Sequence, residues 1–427
     1  MTKMKEDGKF QATLLVIYGN NVLFLQHVKG SMNFKRFFFL LLTGTFSTQP
    51  FAQTAETGAW TGTWATAAEF TGQGDMPQTT SLSNTSVRQL VRVSIGAKSL
   101  RLQLSNEFSA QPVEIKSIYI ADAKDSCDID RKTASYLKFS GKHNVTIEPG
   151  KTVWSDPVRY NLQPLQRLAV TVCYGEQVPI NATSHRGSRT TSFICRGEAK
   201  PNKTFQTIER LEHWYNITKI EVPADGRKAI AVLGNSITDG RGSTTNMQNR
   251  WPDIMAEALS HYGVLNLGIG GNCVIEGGLS QPALQRFDRD ILGQSGVETL
   301  IIFQGTNDIG TSHHAEQTAE KLIEAYKTLI DKARKAGIKH VVGATITPFK
   351  GNGWYSPFHE AARQVVNGWV RQAKEFDAVI DFDQLVRNPD DPECLQERYS
   401  DDWLHLNPQG YRAMGQYAAQ IISSIDK

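Results

Sequence analysis

The hydrophobic period of this chain changes once, at Asp225-Gly226, and that change requires two kinds of structure in one polypeptide. From Trp60 to about Glu221 the period is two. Val91, Val93 and Ile95 alternate with Arg92 and Ser94, and Leu100, Leu102 and Leu104 alternate with Arg101 and Gln103. Further short runs at 115–120, 136–139, 145–147 and 168–174 are separated by Gly, Pro, Asn and Asp clusters. Short strands with turn signals between them predict a β-sandwich or jelly roll over residues 58–225. After the change, Ala229-Ile230-Ala231-Val232-Leu233 is an unbroken apolar run, the mark of a strand covered on both faces. Helical and strand patterns then alternate: helix 251–262, strand 264–267, helix 283–291, strand 299–303, helix 315–336, strand 340–345, helix 357–376, strand 379–382 and helix 409–424. That order predicts a doubly wound parallel sheet over residues 227–427.

Composition narrows the partners. Of 427 residues, 46 are Lys or Arg and 43 Asp or Glu. Residues 1–52 hold six and two of these, which leaves 40 against 41 in the rest of the chain. A nearly neutral body has no field to gather nucleic acid or an anionic membrane, and neither is expected as a partner. Five scattered cysteines without a CxxC pair give no zinc framework. A single disulfide between Cys173 and Cys195 and buried free thiols are both compatible with the spacing.

Residues 1–52 read as a targeting segment and an upstream extension. Met32 precedes Lys35-Arg36, the apolar stretch Phe37 to Phe46, and small and turn residues ending at Ala52. A basic start, a short apolar run and a small residue before a polar one form a secretory signal, with Met32 as the expected start. The run is too short to span a bilayer, which takes about 20 residues, so no stable membrane anchor is expected. A buried amphipathic arm around Leu14 to Leu25 is the structural alternative. The expected location is secreted or periplasmic.

In open α/β sheets ligands sit beyond the carboxyl ends of the strands. Those ends deliver Gly234 to Gly240, Gly268 to Asn272, Gly305 to Asp308, Thr347 to Tyr355 and Asp401 to His405. A serine at such a turn presents its hydroxyl, while its own N–H faces a developing anion. Ser236 needs a base, which His405 supplies, and Asp402, three residues earlier, can hold the other ring nitrogen. Asp401 is the alternative orienter. The Gly271 N–H and the Asn307 amide complete a set of oxyanion donors with the Ser236 N–H. Trp354, Tyr355 and Trp403 are candidates for a substrate subsite or for loop packing. Trp60 and Trp64 are expected in the sandwich core, and His313-His314 as a polar helix start with no third metal ligand.

These blocks resemble those of the SGNH hydrolases, also called the GDSL family of esterases and lipases. Gly234-Asn235-Ser236-Ile237 is similar to the serine block, Asn266 to Asn272 to the glycine block, and Gly305-Thr306-Asn307-Asp308 to the asparagine block. Asp402 to His405, with Pro408, Gly410 and Tyr411, is similar to the final block. Trp60-Thr61-Gly62-Thr63-Trp64-Ala65 resembles the opening of secreted members with an N-terminal β-domain, so the likeness covers nearly all of residues 58–427. It implies a three-layer α/β/α SGNH hydrolase fold, a Ser-His-Asp triad and no cofactor. Two positions depart from the family: Asn235 stands where Asp is usual, and Leu406-Asn407 intervene before Pro408.

Other motifs fall away. Position 238 is Thr where an α/β-hydrolase elbow has Gly. Cys273 stands where a dinucleotide loop has its third glycine, and Gly234 to Arg241 lacks a phosphate-loop ending. The function expected is therefore a secreted carboxylester hydrolase acting on a small-molecule or polysaccharide ester, with carbohydrate deacetylation ahead of a lipase or lysophospholipase role. A non-catalytic glycan-binding protein is the alternative from another class. The short junction 221–227 predicts that the β-half packs on the hydrolase half and borders its site.

Overall fold

The computed structural model describes residues 15–18, 21–24 and 59–425. The signal reading of residues 32–52 lies outside them. Leu15–Tyr18 and Asn21–Phe24 form an antiparallel hairpin within one unit, residues 1–57, and Gly58–Lys427 is a second unit.

The first half of that second unit is antiparallel, as the period of two requires. One sheet runs Thr152–Trp154, Ala97–Ser105, Ile217–Pro223, Trp60–Ala65, with Val158–Leu162 also on Ala97–Ser105. A second is built around Thr85–Arg92, Arg167–Tyr174 and Val113–Asp122. Odd-numbered Val87 and Val91 meet Leu100, Leu102 and Leu104 in the main core, whereas Leu90 points to the opposite face with Tyr119 and Phe193. Trp64 lies in that main core, edge-on to Trp214 at 5.1 Å. A small third sheet joins Trp214–Tyr215, Thr183–His185 and Glu69–Phe70.

No disulfide joins Cys173 and Cys195; both are buried free thiols. Register gives the reason. Cys173 and Cys195 each pair with Ser86, from opposite sides of its strand. They are therefore two strand spacings apart, about 9.6 Å, beyond the roughly 7 Å Cα limit of a disulfide.

The second half is a five-stranded parallel sheet, in the spatial order Tyr262–Gly268, Lys228–Gly234, Val297–Phe303, His340–Ala344, Ala378–Ile380. Alternate residues of Lys228–Gly234 enter different cores. Ala229, Ala231 and Leu233 pack under helices Ala315–Lys335 and Pro357–Gln372, and Ile230 and Val232 under Trp251–Ala258 and Pro408–Ile425. This is a three-layer α/β/α arrangement. Its second strand begins at Tyr262, two residues before the apolar run. The expected helix 283–291 is an α-helix, Ala283–Phe287, that loosens into a π-turn, Asp288–Leu292. The last strand ends at Ile380, because Asp381 accepts the Gln384 N–H and caps a short helix, Phe382–Val386.

The two halves are packed together. A Cβ on Gly263 would lie 1.8 Å from the Gly62 carbonyl oxygen, so the β-half's first strand meets the edge of the parallel sheet backbone to backbone. The Gly62 N–H donates to Ser295 O at 3.0 Å, and the Val264 N–H to Ser94 Oγ at 2.9 Å.

Candidate active site

Strand order places the site. Lys228–Gly234 has the second strand on one side and the third on the other, so the chain reverses its winding direction there and leaves a crevice beyond the strand ends. Ser236, Gly271 and Asn307 follow the first three strands and converge on one cleft of about 470 Å³. That volume lies within the ordinary range of small-molecule clefts, about 300–1,000 Å³.

Ser236 opens a one-turn helix, Ser236–Asp239. Asn235 accepts the Ile237 N–H at 3.0 Å, so the cap is made with Asn in place of the usual Asp. Asn266 Nδ2 donates to Thr238 O at 2.8 Å and ties this turn to the second strand. Ser236 Oγ lies 2.9 Å from His405 Nε2, and His405 Nδ1 lies 2.7 Å from Asp402 Oδ2. Asp402 Oδ1 accepts the backbone N–H groups of Leu404 and His405 at 3.0 and 2.7 Å. Asp402 and not Asp401 therefore orients the ring. The two-residue departure before Pro408 also has a structural account. Leu406 is fully buried, and Asn407 Oδ1 caps the final helix by accepting from Gln409 and Gly410.

Burial lowers the His405 pKa below the ordinary histidine value despite Asp402, with the Arg241 and Arg189 cations adding to the effect. The ring is neutral at pH 7 and free to accept a proton. Burial works against the Asp402 carboxylate, but the His405 hydrogen bonds hold its pKa below the usual carboxylate range.

Gly271 sits at φ +67°, where a side chain would be strained and its Cβ would press on Leu279 at 2.9 Å. Asn307 Nδ2 donates to Asn272 O at 2.7 Å, which fixes the amide plane and leaves its second N–H. Trp354 borders the cleft, braced against Gly310. Tyr355 and Trp403 do not line it: of the two roles expected for them, the structure gives loop packing and corrects the subsite. The Tyr355 hydroxyl donates to Glu393, and the Trp403 ring packs over Gly351. Trp403 itself is at φ +60° between Asp402 and His405, a backbone turn that aims its side chain at that neighbouring loop.

Several supporting residues were given no role by the sequence. Arg286, fully buried, donates to Leu267 O, Gly234 O and Asn272 Oδ1 at 2.8, 3.1 and 3.0 Å, and so clamps two strand ends to the glycine loop. Its signal in the sequence is a cation on an otherwise apolar helix face, four residues before Asp290. Asp308, its pKa pushed up to about 6 by burial, accepts from the Val274 and Ile275 N–H groups and holds the far side of that loop. From the β-half, Glu69, Asp75, Arg186, Gly187 and Arg189 line the cleft. His185 reaches Asp239, at the end of the serine turn, at 2.9 Å. Among the described residues no three His, Cys, Asp or Glu are grouped to hold a metal ion.

Residues 232–413 match the model of the GDSL-like Lipase/Acylhydrolase family. The uncharacterized lipoprotein YqeF of Bacillus subtilis (strain 168) is 30% identical over 156 residues, 34% of this chain; the chain spans 60% of that relative's length. Similar solved structures include a carbohydrate acetylesterase family member from Sinorhizobium meliloti, at 14% identity and TM-score 0.39, covering 46% of this chain and 98% of that one. A GDSL-like lipase from Bacteroides thetaiotaomicron VPI-5482 aligns at 20% identity and TM-score 0.36, over 47% of this chain and 91% of that one.

Proposed function

We propose that the chain, whose residues 232–413 match the model of the GDSL-like Lipase/Acylhydrolase family, is an exported serine carboxylester hydrolase that deacetylates carbohydrate esters. The observation that carries the reading is the continuous relay Ser236 Oγ, His405 Nε2, His405 Nδ1, Asp402 Oδ2, at 2.9 and 2.7 Å, in a cleft. Ser236 attacks the ester carbonyl as His405 takes its proton at Nε2, while Asp402 holds the Nδ1–H and stabilises the imidazolium. The Ser236 and Gly271 N–H groups and the second Asn307 amide hydrogen receive the oxyanion. His405 returns the proton to the leaving alcohol, and a water activated by the same ring then releases the acid.

The cleft wall sets charged and polar groups beside an apolar patch, which suits a short acyl group on a polar alcohol. Arg186, Arg189, Arg241, Asp75 and Asn352 line it, and Leu279, Trp354 and Leu404 supply its apolar surface, room for a short acyl group rather than a long chain. Among the described residues no helix is long and apolar enough to cross a membrane. The pattern of residues 32–52 supports export. Rates on C2 and C12 aryl esters, measured beside acetate release from acetylated xylan and pectin, test the reading. Preference for C2 with release from a polymer supports it; preference for C12 replaces it with a lipase.

A further inference from the structure

Charge is distributed unevenly around the cleft. Of the four carboxylates that border it, Glu69 and Asp239 are each only 2% exposed, and both are committed. Glu69 accepts from Arg186 and Ser280, and Asp239 from His185 and Arg189. Asp402 is held by His405, and Asp75 faces Arg186 at 3.7 Å and His213 at 3.6 Å. Arg241 differs. It is exposed, lines the same cleft, and makes no ion pair or side-chain hydrogen bond among the described residues. Its main chain is nevertheless fixed: its N–H donates to Ser236 O at 2.9 Å, and its carbonyl accepts the Tyr411 hydroxyl. Arg189 also lines this cleft, with one terminal nitrogen committed to Asp239 at 3.2 Å.

Position tells which part of an ester these cations would meet. A Cβ built on Gly242, the next residue, would lie 3.6 Å from His405 Cβ. Arg241 thus belongs to the wall around the imidazole, which delivers its proton to the leaving alcohol. The oxyanion donors Gly271 and Asn307 follow other strands, with Leu279 and Trp354 beside them.

We infer that Arg241, with Arg189 beside it, binds a carboxylate on the alcohol part of the substrate, which is then a short-chain ester of an acid sugar. A guanidinium presents a planar fork of donors that matches both carboxylate oxygens, so it selects this anion by shape as well as charge. The inference rests on the proposed hydrolase reading for the word ester, but not for the anion site itself.

Calorimetry on the full chain and on Arg241→Gln compares trigalacturonate with its methyl ester, which keeps the sugar and removes the charge. The wild type should bind the acid about tenfold more tightly, a gain that 0.5 M salt reduces and Arg241→Gln abolishes. Kinetics on acetylated forms of both ligands should show the same tenfold ratio in kcat/KM, collapsing in the variant. Equal binding of acid and methyl ester by the wild type, or a ratio that survives Arg241→Gln, overturns the inference. Should the wild type cleave no ester at all, the hydrolase reading fails, and the calorimetric comparison alone decides the anion site.

Discussion

Replacing His185 by phenylalanine tests whether the β-half holds the serine turn in place. His185 Nδ1 lies 2.9 Å from Ala67 O and Nε2 lies 2.9 Å from Asp239 Oδ1, so both nitrogens face acceptors and the ring must carry two protons. Burial alone would favour the neutral ring. Asp239 and then Glu69, whose Oε1 is 3.5 Å from Nδ1, carry its pKa above the ordinary histidine value. Phenylalanine keeps the stacking on Trp214 but loses two hydrogen bonds from a charged donor, about 1.5–3 kcal/mol each. Arg189 remains on Asp239 at 3.2 Å and offsets part of that loss, leaving a cost of about 2–4 kcal/mol. Because the folded pKa is raised, this advantage is complete below the unfolded value of about 6.5 and disappears as pH rises through the folded pKa. Urea midpoints for wild type and variant from pH 5 to 9 measure the gap between them. The gap should be widest at pH 5 and shrink upward; a gap that is constant or grows with pH refutes the protonated ring and the reasoning built on it.

Three further outcomes follow from the site. Gly271→Ala should lower kcat by about 10²–10³ in a stopped aryl acetate assay, since the strained φ and the Leu279 contact displace the proposed oxyanion donor. Asn307→Ala should fall in the same range while KM changes little, because its amide is proposed to act on the oxyanion. With its pKa lowered, His405 should give a kcat/KM profile that rises to a plateau at a pH below that of an ordinary histidine; a midpoint above 6.5 in a buffered rate series contradicts the buried neutral base.

Period and strand-end chemistry were enough to read both sheets and the convergence of Ser236, Gly271, Asn307, Asp402 and His405. Local residues determine those features. What escaped the sequence depends on distant contacts. Arg286 is marked only as a cation on an apolar helix face, and its partners at the strand ends are set by the fold; Arg186 and Arg189 lie some fifty residues before Ser236, in the turn that follows strand Thr183–His185. Tyr355 and Trp403 misled because an aromatic residue in a site loop is as ready to pack on a neighbouring loop as on a ligand. The positive φ of Trp403, which sends its ring to Gly351, has no local signature.

The most direct test of the central claim is covalent. A fluorophosphonate probe on the intact protein, followed by peptide mapping, should label Ser236 alone. Ser236→Ala should remain folded, take no label and lose aryl acetate hydrolysis. Labelling of another residue, or a Ser236→Ala variant that cleaves the ester at the wild-type rate, contradicts the account.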